Sequence, residues 1–283
     1  AYLALRSVRY DFSTPIAYYK TGLMQAAETR QKLLGEVKGA LKKGEFEVWF
    51  QPQYDYETSA LIGAEALVRW RHPERGLIQP ADFIPLLERS RQVTFVDTYV
   101  IEKSCAYAKY WQERGIELPI SVNISRIDIL GGKICRTISD TVKKLGIEPR
   151  LIKLEITESA YTSDTEALKS VVTDFKAAGF TVEMDDFGSG YSSLNILKDL
   201  DIDTIKIDIK LTSQVGCGNK KSDDILRSVV KMAKDLNIGV IAEGVETKTQ
   251  AEFLKAVGCT AMQGYYFARP MPPQEFERLV GKD

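Results

Sequence analysis

The feature that most constrains this chain is an alternation that begins at Phe46. Short β-rich runs are followed by longer runs with helical periodicity, repeatedly, almost to the C-terminal residue. Strands are expected at Phe46–Tyr54, Leu61–Trp70, Pro119–Ser125, Leu151–Thr157, Thr181–Asp185, Thr204–Ile209, Gly239–Ala242 and Ala261–Phe267. Helices are expected at Ala81–Arg89, Val93–Arg114, Lys133–Leu145, Asp164–Ala178, Asp223–Leu236 and Lys248–Val257. Gly115, Gly146, Gly179 and Gly258 fall just after helical runs, where a left-handed C-terminal cap favours glycine. Such a series predicts an α/β fold with a closed parallel sheet, a TIM-like (β/α)8 barrel. One connection breaks the pattern. Tyr54 and Leu61 are too close for a crossover helix, because parallel neighbours need about a dozen connecting residues or more. The barrel is therefore expected to carry an antiparallel first strand.

The 283 residues suit one such barrel, and 44% hydrophobic content can fill its core. Residues 36–283 are assigned to the barrel domain. Residues 1–35 do not fit it: Tyr2–Tyr19 alternates and Leu23–Lys43 reads as helix, a leader or linker. A chain beginning at Ala1 reads as a fragment. The loop Gly216–Lys221, rich in glycine and lysine, is expected to be mobile. The formal net charge is −1 and no basic stripe stands out, so duplex nucleic acid is not an expected partner. Cys105, Cys135, Cys217 and Cys259 form no C-x-x-C pair and read as reduced thiols. With no membrane-length apolar run and no signal peptide, a cytoplasmic domain is expected, in a full-length protein open to membrane tethering.

The chemistry lies in the acids. Glu65, Glu155 and Asp185 sit within apolar strand segments; Asp186, Lys206, Asp208 and Glu243 lie at or near strand ends, with Glu158 and Glu246 at the following turns. An isolated buried carboxylate costs several kcal/mol or neutralises itself. Acids on four or more strands converge on the C-terminal mouth of a barrel, where such folds place their sites. Carboxylates held together must take up protons or bind cations. An oxygen set with the Asn123 amide suits Mg²⁺ or Mn²⁺ better than zinc. The structural readings are weaker for Glu65 and Asp185 than for Glu158 and Glu246, which could simply start helices. Lys206 could merely neutralise its neighbours, and Asp208 could be its partner on the same strand face. His72, the single histidine, excludes a multi-histidine metal site and reads as a turn residue before Pro73. The segment Asp185–Tyr191 follows a strand and opens a helix; its glycines suit a functional loop or a simple tight turn.

These blocks, in this order, resemble the EAL-domain cyclic di-GMP phosphodiesterases. The resemblance runs from Leu41 to Val280. It rests on Gln51-Pro52, Glu65-Ala66-Leu67 with Arg69-Trp70 and His72-Pro73, Phe83-Ile84-Pro85, Asn123-Ile124-Ser125, Glu155-Ile156-Thr157-Glu158, Asp185–Gly190, Lys206-Ile207-Asp208, Ala242–Glu246 and Gln263-Gly264-Tyr265. The resemblance implies hydrolysis of cyclic di-GMP to linear 5′-pGpG with two Mg²⁺ or Mn²⁺ ions. It implies Glu65, Asn123, Glu155 and Asp185 as ligands of a first metal, with Asp185 and Asp186 serving a second. It implies Glu243 as general base, with Lys206 and Asp186 as its catalytic partners. Gln51, Leu67, Arg69, Gln263 and Glu246 would form the substrate side, and Glu158 would support the glycine loop. A barrel with a reversed first strand and a homodimer are also implied. Ser189 stands where the family usually has threonine, which keeps the hydroxyl. Residues 1–35, through Ala4-Leu5 and Ile16–Tyr19, resemble the tail of an upstream GGDEF domain, which would make the full-length protein a tandem. The competing expectations are a silent cyclic di-GMP receptor, an interaction module, and a Mg²⁺-dependent barrel acting on sugar phosphates.

Overall fold

The structure, a computed structural model, describes residues 21–189 and 193–280. The GGDEF-like segment, Tyr2–Tyr19 and the loop residues Gly190 and Tyr191 lie outside the described residues. The chain divides into two units. The smaller comprises residues 1–46 and 70–93, and the larger 47–69 and 94–283.

The smaller unit holds helix α1 (Thr21–Lys43), the end of β2 (Leu61–His72), β3 (Gly76–Ile78) and α2 (Pro80–Arg89). Pro80 opens α2 at the position where a missing N–H costs nothing. An aromatic cluster forms its core: Phe46 stacks on Trp70 at 4.8 Å, and Phe83 meets both edge-on. The hairpin of β2 with β3 pairs His72 with Gly76. The sequence reading lacks β3, because three residues carry no usable periodicity. His72 takes a turn role: its Nδ1 accepts from the Glu74 N–H at 3.1 Å, and its Nε2 lies 3.0 Å from Glu36 Oε2.

The larger unit is the barrel. Strands β1 (Phe46–Asp55), β2, β4 (Ile120–Asn123), β5 (Ile152–Thr157), β6 (Thr181–Phe187), β7 (Thr204–Ile207), β8 (Gly239–Ala242) and β9 (Ala261–Met262) close in the order β1-β9-β8-β7-β6-β5-β4-β2, with β2 returning to β1. The pairs from β2 round to β9 are parallel. β1 runs antiparallel to both neighbours, as the short connection requires. The Asp55 carboxylate tightens that connection by accepting from the N–H groups of Glu57 and Thr58.

The helices between strands are α3 (Val93–Gln112), α4 (Arg126–Gly131), α5 (Ile134–Leu145), α6 (Glu158–Ser163), α7 (Thr165–Ala177), α8 (Ser193–Asp199), α9 (Ile209–Thr212), α10 (Lys220–Asp235), α11 (Lys248–Ala256) and α12 (Pro273–Val280). Their buried faces recur at helical spacing, as in Ile134, Ile138 and Val142 of α5 and Leu226, Val230 and Ala233 of α10. The four glycines expected to end helices all have positive φ. Among the described residues no helix is long and apolar enough to cross a membrane, and all four cysteines are free.

Three of the boundaries that differ from expectation bear on the site or its loops. β7 stops at Ile207, because the Asp208 side chain caps α9 by accepting from the Lys210 N–H at 2.6 Å. Asp208 is therefore not a strand partner of Lys206. β9 ends at Met262, and Gln263–Phe267 form a turn. The segment Gly216–Lys221 is not wholly loop, since α10 begins at Lys220 under an Asn219 cap.

Inside the barrel, side chains alternate by the pleat. On β5, Ile152, Leu154 and Ile156 are buried, while Lys153 and Glu155 occupy the alternate positions. Lys153 Nζ reaches Glu183 Oε1 at 2.9 Å, and Ser121 Oγ donates to Glu183 Oε2 at 2.6 Å. Register places Asn123 beside Glu155, and Thr157 beside Asp185.

A second aromatic cluster supports β1. Trp111 stacks on Phe276 at 5.4 Å and lies 5.2 Å from Phe50, with all three buried. Trp111→Ala is expected to cost about 3–5 kcal/mol. Urea denaturation would measure it, and a loss near zero would show that the cluster does not carry the fold.

Candidate active site

Each acid reaches the site from its own strand. β2 carries Glu65, β5 Glu155, β6 Asp185 and β7 Lys206, and Glu243 follows directly after β8. The Lys206 ammonium has no exposure to solvent. It lies 2.7 Å from Glu155 Oε1, 2.8 Å from Glu243 Oε1, 3.2 Å from Glu65 Oε2 and 3.5 Å from Asp185 Oδ1. Four carboxylates thus share one fixed cation.

That imbalance sets the protonation of the cluster. For Lys206, burial opposes the charge, but Asp185, Glu155, Glu243 and Glu65 together hold its pKa well above the ordinary lysine value. Glu65 is lowered: burial works against it, and Lys206, Gln263 and Asn123 overcome that cost. Burial pushes Glu155 well above the ordinary carboxylate range, reinforced by Glu65. Burial also raises Asp185, against the pull of Lys206, and takes Glu243 up to about 8. One ammonium cannot balance four carboxylates, so the remainder tend to hold protons.

An amide relay orients Glu65. Asn123 Nδ2 donates to Glu65 Oε1 at 3.1 Å, and Gln263 Nε2 donates to Glu65 Oε2 at 2.6 Å. Gln263 Nε2 also lies 3.2 Å from Gln51 Oε1, while Gln263 Oε1 accepts from Gln53 Nε2 at 3.0 Å. Gln263 and Gln51, expected on the substrate side, are thus bound to each other within the protein. Gln53 is a site residue that the sequence reading missed. Its signal was the strand period of two, which puts residues 51 and 53 on one face. Gly63 makes room for it: a Cβ there would lie 2.7 Å from Gln53 Oε1.

Glu155 Oε2 is buried and makes no hydrogen bond, while Glu155 Oε1 and Asp185 Oδ1, also buried, meet the Lys206 ammonium. Buried acceptors of this kind are costly unless something satisfies them. Among the described residues no three His, Cys, Asp or Glu side chains form a closed metal-ligating group; the carboxylates are arranged around the ammonium instead. The unpartnered Glu155 Oε2 and the surplus of carboxylates over cations are nonetheless what a hard divalent cation would require.

The remaining expected residues lie around this centre. Glu65, Asp185, Glu243, Gln51, Gln263, Leu67 and Glu246 line one cavity of about 440 Å³. Asp186 is not drawn into the lysine cluster. It has a φ of 57°, and its carboxyl meets Asp208; partial desolvation, then Asp185 and Asp208, push its pKa up to about 6. Glu158 is buried and accepts from the Gly188 N–H at 3.2 Å, beneath the glycine loop. Arg69 is buried, with its guanidinium 5.6 Å from the Trp49 ring. Glu246 is fixed through its N–H, which donates to Gln250 Oε1 at 2.9 Å in the capping box of α11.

The EAL domain family matches residues 35–270. The chain is 34% identical to the cyclic di-GMP phosphodiesterase PA2567 of Pseudomonas aeruginosa over 92% of its length, spanning 44% of that protein. It is 32% identical to the bifunctional diguanylate cyclase/cyclic di-GMP phosphodiesterase MucR of the same organism, covering 91% of this chain and 38% of that one. The chain therefore spans less than half the length of these relatives. Among solved structures, the MucR phosphodiesterase in complex with c-di-GMP superposes with a TM-score of 0.82 at 32% identity, covering 87% of this chain and 99% of that one.

Two outcomes test the electrostatics. Lys206→Met should destabilise the fold by about 3–5 kcal/mol, since it leaves buried carboxylates without their cation. An unchanged urea midpoint would sink that account. Glu243 has a folded pKa of about 8 against an ordinary 4.5. Its contribution to stability is therefore full below the lower value and is lost as pH rises through the higher one. With chelator present, Glu243→Gln should lose less stability than the wild type between those two pH values. Equal slopes would mean that Glu243 does not hold a raised pKa.

Proposed function

This chain belongs to the EAL domain family, and from that premise we propose that it hydrolyses cyclic di-GMP to linear 5′-pGpG with divalent metal ions. The observation that carries the reading is the Lys206 cluster, with four carboxylates around one cation at the wall of a cavity. Relatives named as cyclic di-GMP phosphodiesterases support the substrate.

Glu65, Asn123, Glu155 and Asp185 would hold one Mg²⁺ or Mn²⁺, and Asp185 with Asp186 a second. Bound there, the ions would supply charge neutralisation at the phosphodiester and a more acidic water. The rest is the work of side chains. Glu243 accepts the proton of the attacking water, and its raised pKa suits a base working near neutrality. Water oxygen bonds to phosphorus as the bond from phosphorus to the 3′ oxygen breaks. The 3′ oxygen takes a proton from solvent as it leaves, Glu243 releases its proton to solvent, and the phosphate stays on the 5′ side. Lys206 keeps Glu243, Glu155 and Asp185 in place and neutralises the charge that develops. Asn123 and Gln263 fix both oxygens of Glu65. Arg69 offers a planar donor set to phosphate or a guanine edge, with Leu67, Gln51 and Glu246 on the same side. Glu158 holds the glycine loop. A homodimer and an upstream GGDEF or sensor domain, in a cytoplasmic setting, belong to the same proposal; relatives longer than this chain support the latter.

The test is incubation with cyclic di-GMP and Mg²⁺ or Mn²⁺, with linear product followed by chromatography. Turnover is expected, and binding without product would establish a receptor instead. Glu65→Ala should abolish turnover, and near-normal rates would overturn the metal assignment. Glu243→Gln should still bind nucleotide while slowing hydrolysis by about 10²-fold or more; an unchanged rate would remove it as the base.

A further inference from the structure

We propose that Gln53 is a positioning residue of the metal site: it sets the direction of the amide relay that holds Glu65 as a ligand. The inference rests on the reading of Glu65 as a metal ligand given above and adds a residue to it. Gln53 has no exposure to solvent. Its Nε2 donates to Gln263 Oε1 at 3.0 Å, while its own Oε1 is buried and makes no hydrogen bond. An unpaired buried acceptor costs stability, and a methionine of similar length would avoid that cost. Room for the amide comes from Gly63, where a Cβ would lie 2.7 Å from Gln53 Oε1. The barrel thus carries a half-satisfied amide where packing alone favours an apolar side chain.

Hydrogen-bond chemistry allows the relay one arrangement. The Glu65 carboxylate can only accept, so Gln263 must present its NH2 group to it. Gln263 Nε2 does so at 2.6 Å from Glu65 Oε2, and the same nitrogen lies 3.2 Å from Gln51 Oε1. Both protons of that nitrogen are then used, and Gln263 Oε1 is the atom left for Gln53. Only a donor satisfies that oxygen, and Gln53 supplies one. Gln51 continues in the same sense, with its Nε2 donating to Ala268 O at 3.4 Å. Three amides therefore point one way, and the direction starts at Gln53. Bonds in such a chain polarise one another, so the donor on Gln263 Oε1 strengthens the bond that Gln263 makes to Glu65.

The relay needs that anchor because a cation competes for Gln263. The Lys206 ammonium lies 3.2 Å from Glu65 Oε2, the same oxygen that Gln263 holds. A Gln263 carbonyl without a partner would be drawn towards that ammonium, and the amide would turn its N–H away from Glu65. With Gln53 bonded, the carbonyl is occupied and the NH2 group stays on Glu65. Asn123 Nδ2 holds the other Glu65 oxygen at 3.1 Å. Each Glu65 oxygen thus has a fixed amide donor, and an ion bound there does not have to order the carboxylate itself.

The experiment titrates the metal-free protein with Mn²⁺ and follows the EPR signal of the free ion. It compares the wild type with Gln53→Met, Gln53→Leu, Gln263→Met and the double variant of Gln53→Met with Gln263→Met. Gln53→Met and Gln53→Leu lose the donor and should each weaken Mn²⁺ binding about ten-fold, the lower end of the range for groups that orient a ligand. The urea midpoint without metal should move little, because either change removes one unpaired buried oxygen and creates another on Gln263. In the Gln263→Met background, adding Gln53→Met should change Mn²⁺ affinity by less than about two-fold, since the relay is already broken. Hydrolysis of cyclic di-GMP should show the same split: the Mg²⁺ concentration for half-maximal rate rises by a similar factor, while kcat at saturating Mg²⁺ falls less. Mn²⁺ affinity in both single Gln53 variants within about two-fold of the wild type, or equal losses in the two backgrounds, would overturn the role of Gln53 and leave the phosphodiesterase reading standing. A wild type that binds no Mn²⁺ would overturn the metal reading itself, and the role of Gln53 with it.

Discussion

The structure depends on one buried ammonium. Lys206 is fully enclosed and lies within 3.5 Å of four carboxylates from β2, β5, β6 and the end of β8. No sheet would gather those acids without it, because each buried carboxylate repels the others. It also leaves the charge unbalanced. The cluster is stable only with protons held on some of its members, or with further cations. Mutually perturbed acids of this kind are characteristic of functional sites. Charge added beside Glu155 and Asp185 therefore also changes the protonation of Glu243, since all three share the Lys206 ammonium.

The barrel makes that gathering geometrically cheap. Parallel strands side by side bring equivalent positions level, so a site can be built from one residue per strand. Asn123 and Glu155 are register partners, as are Thr157 and Asp185. The reversed β1 adds what the parallel strands lack. It brings Gln51 and Gln53 in from the opposite chain direction to meet Gln263 beyond the end of β9. The amide relay that fixes Glu65 exists because one strand runs the other way.

Much of this was legible in the sequence, for physical reasons. Eight periodic strand runs and the short Tyr54–Leu61 connection dictate the closed sheet and the reversed strand. Acids inside apolar runs mark the site, since a buried charge has no structural purpose without a partner. What was not legible depends on side-chain direction rather than residue type. Asp208 looks like a strand acid beside Lys206, yet the chain turns there and its carboxylate caps α9. Gln53 is an ordinary amide until its partner, 210 positions away, is known. Tyr265 looked like part of a strand because Ala261–Phe267 is apolar and aromatic, and only the turn at Gln263 exposes its ring.

The turn has a further consequence for how recognition and chemistry are joined. Gln263 holds Glu65 through its side chain and Val245 through its carbonyl, and two residues on is Tyr265. Val245 in turn lies between Glu243 and Glu246. A shift of the Gln263–Phe267 turn would therefore move the Glu65 carboxylate, the loop of Glu243 and the Tyr265 ring together. Gly244 and Gly264 make the contact possible, since a side chain at either position would meet Ile209 or the Val245 backbone. Their small size lets two loops share one backbone scaffold. Any load on that ring is therefore transmitted to the geometry of the carboxylates below it.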